Sequence, residues 1–404
     1  MRPLRLLTFS TLFPNAEQPN HGVFVENRLR HLVASGAVTS IVLAPVPFYP
    51  PGAAFAALGR GGGWDRLARV PRQETRHGLL LHHPRYLVIP KIGMNLAPAL
   101  LCHAAARTLR RLIADGLEFD AIDAHYLYPD GVAAVRLGRM FGKPVVITAR
   151  GSDVTQLPLY PTPRRMIQAT ITAADALISV SAALGEGLVA LGAPAAKVHV
   201  LRNGIDTRMF RPADRTAARA ALGVSGRVLI SVGHLIERKG HDRTIAALAQ
   251  LPDTTLLIVG GGPQRAMLQA LAQRFGVAAR VRLLGTVPHA QLPAFYSAAD
   301  AMVLSSNREG WANVLLESMA CGTPVVASNI PGNPEVVQSP EAGLVVEANT
   351  PDGIAAGVRH LFAALPDRAA TRAYAEHFSW DATTAGQIAV FQQVTGRAPS
   401  KGAA

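Results

Sequence analysis

At 404 residues the chain is longer than one hydrophobic core usually serves, and with 49% apolar and 17% charged residues it has ample material to bury; disorder is excluded and two domains are expected. The net charge of +13 lies mostly in the first half, since residues 1–205 carry 22 basic and 12 acidic side chains and residues 206–404 carry 18 and 15. Two cysteines, Cys102 and Cys321, exclude a disulfide framework and a cysteine metal knuckle, and no run of 18 apolar residues exists to cross a membrane as a helix.

In chain order, MRPLRLLTFSTLF (1–13) is expected to hold a first β-strand over 4–8 rather than a signal peptide: Thr8 and Ser10 interrupt a short apolar run, and no small-residue cleavage site follows. A cytoplasmic protein is therefore expected. The long loop 11–24 ends in Gly22 ahead of a helix over 23–35, which stops at Gly36. After the strand SIVLA (40–44) comes a segment rich in Pro and Gly, 44–64, which is either a surface excursion or an acceptor-side loop. A helix over 97–113 opens with Pro98 and carries Arg107, Arg110 and Arg111; it either packs on a sheet with its arginines in water or touches an anionic membrane.

Further apolar runs follow at 144–148, 176–180 and 198–201, and the alternation restarts after Asn203 with runs at 227–232, 255–259, 281–284, 301–304, 324–328 and 343–346. Continuous apolar strands joined through helices predict parallel sheets covered on both faces, hence two doubly wound Rossmann-like domains. The segment RNGIDTRMFRP (202–212), punctuated by Gly204 and Pro212, marks the boundary. Ligands of such sheets sit beyond the carboxyl ends of the strands, so two domains facing each other would line a cleft with their loops.

One such loop, SSNREGWAN (305–313), places Glu309 before a helix VLLESMAC for which Asn313 is the expected N-cap, and Glu317 lies one turn inside that helix. A helix N-terminus offers free amides and a positive dipole to a phosphate, and Gly310 removes a side chain where a ligand approaches. A diphosphate between two sugars fits, with one carboxylate for each sugar; the bland alternative is a solvated loop acid and a helix-surface acid. Arg238 and Lys239, in SVGHLIERKGH (231–241), stand where cations can stabilise a departing diphosphate. The glycines of VGGGP (259–263), Gly262 among them, suit backbone approach to a ligand but lack the spacing of a dinucleotide fingerprint.

Taken together, these segments resemble retaining glycosyltransferase family 4, of the GT-B fold, over nearly the whole chain. An E-x7-E signature matches Glu309 to Glu317, NGIDTRMF (203–210) matches a second motif, and Lys239 with Gly240, REGW, ACGTPVVA and FSWD (378–381) match in the same order. The resemblance implies domains at 1–203 (acceptor side) and 204–376 (nucleotide-sugar side), with 377–404 a C-terminal helix crossing back to the first domain. It implies that Glu309 contacts the donor sugar, that backbone amides of Gly310, Trp311, Asn313, Val314 and Leu315 hold sugar and diphosphate, and that Glu317 binds the ribose. It further implies that Lys239 with Arg238 meets the distal phosphate, with Gly22 facing it from the first domain, and that Thr286 and Val287 bind the base through backbone groups.

The family uses no metal, and the chain shows no Asp-x-Asp or His/Cys cluster. No cofactor is expected, the nucleoside-diphosphate sugar being a substrate. Two positions depart from the family pattern. His234 stands where an arginine is common, and Arg150 replaces the histidine of an HGxD motif, here Arg150, Gly151, Ser152 and Asp153. A guanidinium cannot accept a proton, so Arg150, a catalytic and acceptor-side candidate, is expected to act as a charge partner for an acidic sugar or phosphate. Asp153 and His125 are acceptor-side candidates or loop braces.

The expected function is transfer of a hexose-like sugar from a nucleoside-diphosphate sugar to a hydroxyl acceptor, with retention and front-face attack, in cell-surface polysaccharide or glycolipid synthesis. A hydrolase would need acid and nucleophile astride the bond, and here one Glu is assigned to the ribose. A nucleotide-sugar epimerase of the same fold is the alternative. A nucleic-acid-binding protein would explain the charge, but no recognition module or stacking aromatics are present, so no nucleic-acid partner is expected. The basic first half makes a lipid-linked acceptor and a peripheral position on an anionic membrane surface the expected setting.

Overall fold

The computed structural model describes residues 2–48, 64–88 and 93–397. Most of the Pro- and Gly-rich segment 44–64 lies outside the described residues. The chain divides into two units, residues 1–202 with 381–404, and residues 203–380.

Unit 1 is built on strands β1 (Leu4–Phe9), β2 (Val38–Leu43), β3 (Val46–Phe48), β4 (Gln73–Arg76), β5 (Leu79–His82), β6 (Arg85–Leu87), β7 (Ala121–His125), β8 (Val145–Ala149), β9 (Ala176–Ser179) and β10 (Val198–Val200). Eight of them form one sheet in the order β10-β9-β8-β7-β1-β2-β5-β4, and β3 pairs with β6 apart from it. The apolar runs at 4–8, 40–44, 144–148 and 176–180 are inner strands, with Leu6, Val42, Val146 and Ile178 buried in one core, while the run at 198–201 is the edge strand β10. The departure from an all-parallel sheet is β4, antiparallel to β5 through a tight turn in which His77 (φ 48) and Gly78 (φ 80) are both left-handed. That pair of positive φ angles suits a two-residue hairpin.

The last helix, Trp380–Val394, supplies Val390 and Phe391 to the core of unit 1, and the side-chain hydroxyl of Thr383 donates to the carbonyl of Arg202. Residues 377–380 stay with unit 2 because Ile205 donates to the Phe378 carbonyl (2.8 Å) and the Phe378 ring packs near Trp311 and Tyr374.

Unit 2 contains β11 (Arg227–Val232), β12 (Thr254–Val259), β13 (Val281–Gly285), β14 (Ala301–Leu304), β15 (Val325–Ser328) and β16 (Gly343–Val346), ordered β13-β12-β11-β14-β15-β16 and all parallel. The order reverses between β11 and β14, so the crevice at the carboxyl ends of those two strands is the expected ligand position. The two loops that open there carry Lys239 and Glu309.

Candidate active site

The switch-point loops of unit 2 approach each other closely. Gly240 has φ 68, and a Cβ on it would stand 2.0 Å from the Ser305 carbonyl oxygen; that oxygen also accepts from the Arg243 guanidinium (2.7 Å). Ser305 donates its hydroxyl to the Gly240 carbonyl (2.6 Å), and the Asn307 amide donates to the Arg238 carbonyl (2.8 Å). The glycine of the Lys239–Gly240 pair is thus required by contact between loops.

That contact brings Lys239 onto Glu309. The lysine Nζ donates to Glu309 Oε1 (2.7 Å), the Ser306 hydroxyl donates to the same oxygen (2.7 Å), and Arg238 reaches Oε2 at 3.4 Å. Glu309 is 9% exposed. Burial raises its pKa, but the charge and hydrogen bond of Lys239, with Ser306 and Arg238, outweigh burial and hold it below the usual value, so it is ionised at neutral pH. The sequence assigned these two residues to different parts of a ligand; in the protein alone they satisfy each other.

The helix after this loop, Asn313–Ala320, has Ala312 as its N-cap and no side-chain capping bond. Asn313 is the first helical residue and not the expected cap: its Oδ1 accepts from the Asn203 side chain (3.2 Å), which diverts it from the helix end. The N-terminus lacks the usual side-chain cap of its free amides. Two of the amides expected to hold ligand are already bonded, however, Asn313 to the Trp311 carbonyl (3.1 Å) and Leu315 to the Ala312 carbonyl (3.0 Å). Trp311 and Leu315 bury their side chains, while Gly310 and Val314 are half-buried.

Glu317 is not a surface acid. It is 7% exposed, its Oε1 accepts from His289 Nε2 (3.1 Å), and its Oε2 accepts from the Tyr296 hydroxyl (2.9 Å). Burial lowers the His289 pKa, but the hydrogen bond and charge of Glu317 leave it raised overall. His289 belongs to the loop after β13, four residues beyond Gly285, so Glu317 is tied to the loop that carries Thr286 and Val287. Thr286 is exposed and Val287 half-buried.

The glycines of the 259–263 loop are called for by contacts within the protein. A Cβ on Gly260 would lie 1.8 Å from the Gly233 carbonyl oxygen, one on Gly262 2.5 Å from that of Leu235, and one on Gly261 2.6 Å from Thr286 Oγ1. Neighbouring strand-end loops pack backbone to backbone here, joined by Gly233 to Val259 (3.0 Å), Leu235 to Gly261 (2.9 Å) and Gly260 to Gly285 (2.8 Å) amide-to-carbonyl bonds. His234 is exposed at the edge of this stack.

In unit 1, Gly22 caps the helix Val23–Ala34 with φ 72, and a Cβ there would meet the Leu12 carbonyl oxygen at 2.3 Å. Asp153 is fully buried and accepts the amides of Leu127 (2.9 Å), Arg150 (3.0 Å) and Gly151 (2.7 Å), so it braces the turn after β8. The Arg150 guanidinium donates to His125 Nδ1 (2.7 Å) and lies over the Phe24 ring at 5.3 Å. Burial lowers its pKa to about 10, with Asp123 and Asp153 opposing, and it remains a cation at neutral pH. A guanidinium only donates, so His125 carries its proton on Nε2, 3.2 Å from Asp123. Burial lowers the His125 pKa, which keeps the imidazole neutral.

Asp123 and the buried Asp130, which accepts from the Thr11 hydroxyl (3.0 Å), were not singled out by sequence. The spacing of two in DAH was the available signal for Asp123, since strand residues i and i+2 share a face. Among the described residues no group of His, Cys, Asp or Glu is placed to hold a metal ion, and no helix is long and apolar enough to cross a membrane.

Two doubly wound sheets, parallel except for the edge strand β4, with strand-end loops carrying buried carboxylates and cations define a GT-B protein. The fold is similar to sucrose-phosphate synthase from Thermosynechococcus elongatus (TM-score 0.78, 21% identity, 98% of this chain and 100% of that one). It is also similar to Anabaena HepE, solved with UDP and glucose (TM-score 0.72, 20% identity, 97% of this chain and 98% of that one). The profile described as Glycosyltransferase Family 4 matches residues 22–209, and that of Glycosyl transferases group 1 matches residues 214–378. D-inositol 3-phosphate glycosyltransferase 1 of Catenulispora acidiphila is 30% identical over 425 residues, 96% of each chain. The D-inositol 3-phosphate glycosyltransferase of Segniliparus rotundus is 38% identical over 211 residues, 48% of this chain and 47% of its own length. The chain belongs to glycosyltransferase family 4 and is a glycosyltransferase.

Proposed function

We propose that the protein transfers a hexose from a nucleoside-diphosphate sugar to a hydroxyl acceptor with retention of anomeric configuration, the donor lying at the carboxyl ends of β11 and β14. The observation that carries this reading is the pair of buried carboxylates, Glu309 held by Lys239, Ser306 and Arg238, and Glu317 held by His289 and Tyr296. A carboxylate accepts hydrogen bonds from hydroxyls, so Glu309 is assigned to the donor sugar and Glu317 to the ribose. Lys239 and Arg238 supply positive charge where the diphosphate departs. The departing phosphate takes the acceptor proton, and no protein base is required. HepE, whose fold is similar, was solved with UDP and glucose, which agrees with a nucleotide-sugar donor.

The acceptor is assigned to unit 1. The 22 basic and 12 acidic residues of 1–205 favour an anionic acceptor, and the family relatives named above act, by name, on a phosphorylated polyol. A phosphate-bearing or lipid-linked hydroxyl compound fits this chemistry, with peripheral attachment to an anionic membrane and a cytoplasmic setting. Failure of the protein to sediment with anionic vesicles at low salt would remove the membrane part.

The test of the reaction is a screen of UDP, GDP and ADP sugars, followed by proton NMR of the first product. Transfer with the donor's anomeric configuration is expected. An inverted product, or conversion of the donor with no acceptor present, contradicts the proposal.

A further inference from the structure

Glu317 is held by more than its two hydrogen bonds. Its partners belong to different elements, His289 to the loop after β13 and Tyr296 to the helix Leu292–Ala298, and the buried Phe210 ring meets both edge-on, at 5.0 Å from His289 and 6.3 Å from Tyr296. Phe210 ends the NGIDTRMF motif, for which the donor site gives no role. Its backbone is anchored in turn, since Arg372 donates to the carbonyls of Phe210 (2.5 Å), Ala320 (2.6 Å) and Thr207 (3.0 Å). Tyr296 is fully buried and its carbonyl accepts from the Thr323 hydroxyl (2.7 Å).

The consequence lies in lone pairs. Each carboxylate oxygen can accept about two hydrogen bonds. His289 takes one direction on Oε1 and Tyr296 one on Oε2, which leaves one acceptor direction on each oxygen and fixes the plane of the group. A carboxylate held in this way accepts from two adjacent hydroxyls at once. A carboxylate free to rotate about its last torsion gives up part of that advantage, because ordering it costs entropy.

We propose that His289 and Tyr296, braced by Phe210, are positioning residues that lock Glu317 as a two-point acceptor for the 2′- and 3′-hydroxyls of the donor ribose, and so set the preference for ribonucleotide over deoxyribonucleotide. This rests on the assignment of Glu317 to the ribose made above. His289 also ties that acid to the loop assigned to the base, so ribose and base are gripped by one connected unit.

The experiment is calorimetric titration of the whole protein with UDP, GDP and ADP, and then with the 2′-deoxy counterpart of the tightest binder. The wild type is expected to prefer the ribonucleotide by about tenfold or more, because a site built around a hydroxyl rejects the ligand lacking it. In Tyr296→Phe, which removes a single oxygen, and in His289→Ala, the preference should fall to roughly threefold or less, mainly through weaker ribonucleotide binding. His289→Gln keeps a donor near Oε1 and should recover most of the preference. A preference unchanged in both variants, or both nucleotides weakened by the same factor, overturns the inference and leaves the donor site standing. If the wild type binds none of the three nucleotides, the donor site itself is wrong and the inference falls with it.

Discussion

Glu309 and Lys239 form a pair in which each removes the other's penalty for burial, and this makes the two substitutions unequal. Glu309→Gln keeps the shape and the Ser306 contact but removes the charge, so kcat should fall by about 10² to 10³, and the melting temperature should fall less than in Lys239→Ala because the lysine is the more exposed partner, 13% against 8%. Lys239→Ala should lower kcat as much and also destabilise the protein, because it leaves a buried carboxylate with only Arg238 and Ser306. The pH dependence has a definite sign. Burial raises the Glu309 pKa and Lys239 lowers it more, leaving it below the usual 4.5. The pair's contribution is therefore complete above about pH 4.5 and is lost as pH falls through the depressed folded value. Melting curves between about pH 3 and 6 should show this acid loss in wild type and less of it in Lys239→Met. An equal slope in both contradicts the pairing. In the sequence both acids and the lysine were legible as candidates, but their mutual contact was not, since it depends on how closely two loops 70 positions apart are packed.

The strand-end loops show why glycine placement is easier to see than to interpret. Gly260 and Gly262 stood out as positions for close backbone approach, and close approach is what they provide, to Gly233 and Leu235 in turn; Gly240, read only as part of the Lys239–Gly240 motif, makes the same kind of approach to Ser305. Nothing local in the sequence distinguishes approach to a ligand from approach to the next loop. Gly240→Ala places a Cβ against a carbonyl oxygen at a left-handed φ, and should destabilise unit 2 by about 2 kcal/mol or more. It should also weaken transfer by separating Lys239 from Glu309; a variant with normal melting and turnover contradicts the loop contact. Most of the parallel strands were legible because buried strands are continuous apolar runs, but β5 was not read as one, and neither was β7, whose run is broken by the buried Asp123 and His125. β4 was not, since Gln73, Glu74, Thr75 and Arg76 form a polar edge strand, and neither was the diverted cap at Asn313, which is set by its partner Asn203, 110 positions away.

Across the whole chain, the return of residues 381–404 to unit 1 makes the stability of that unit depend on both ends of the sequence. Phe391 is fully buried among Leu4, Val25, Leu29 and Val38. Phe391→Ala should cost unit 1 about 3 to 5 kcal/mol, read as a lowered first transition in calorimetry, while nucleotide binding by unit 2 is retained. Unchanged melting contradicts the packing of that helix. The two-domain organisation was legible because the alternation of strands and helices restarts after Asn203, and the final helix was legible only through the FSWD resemblance.

The most direct test of the central claim is a crystal structure of the protein with its nucleoside-diphosphate sugar. The ribose is expected on Glu317, the transferred sugar on Glu309, and the diphosphate at the amino end of the helix Asn313–Ala320 beside Lys239. Nucleotide bound away from these residues, with Glu309 and Lys239 still paired as they are in the free protein, would contradict it.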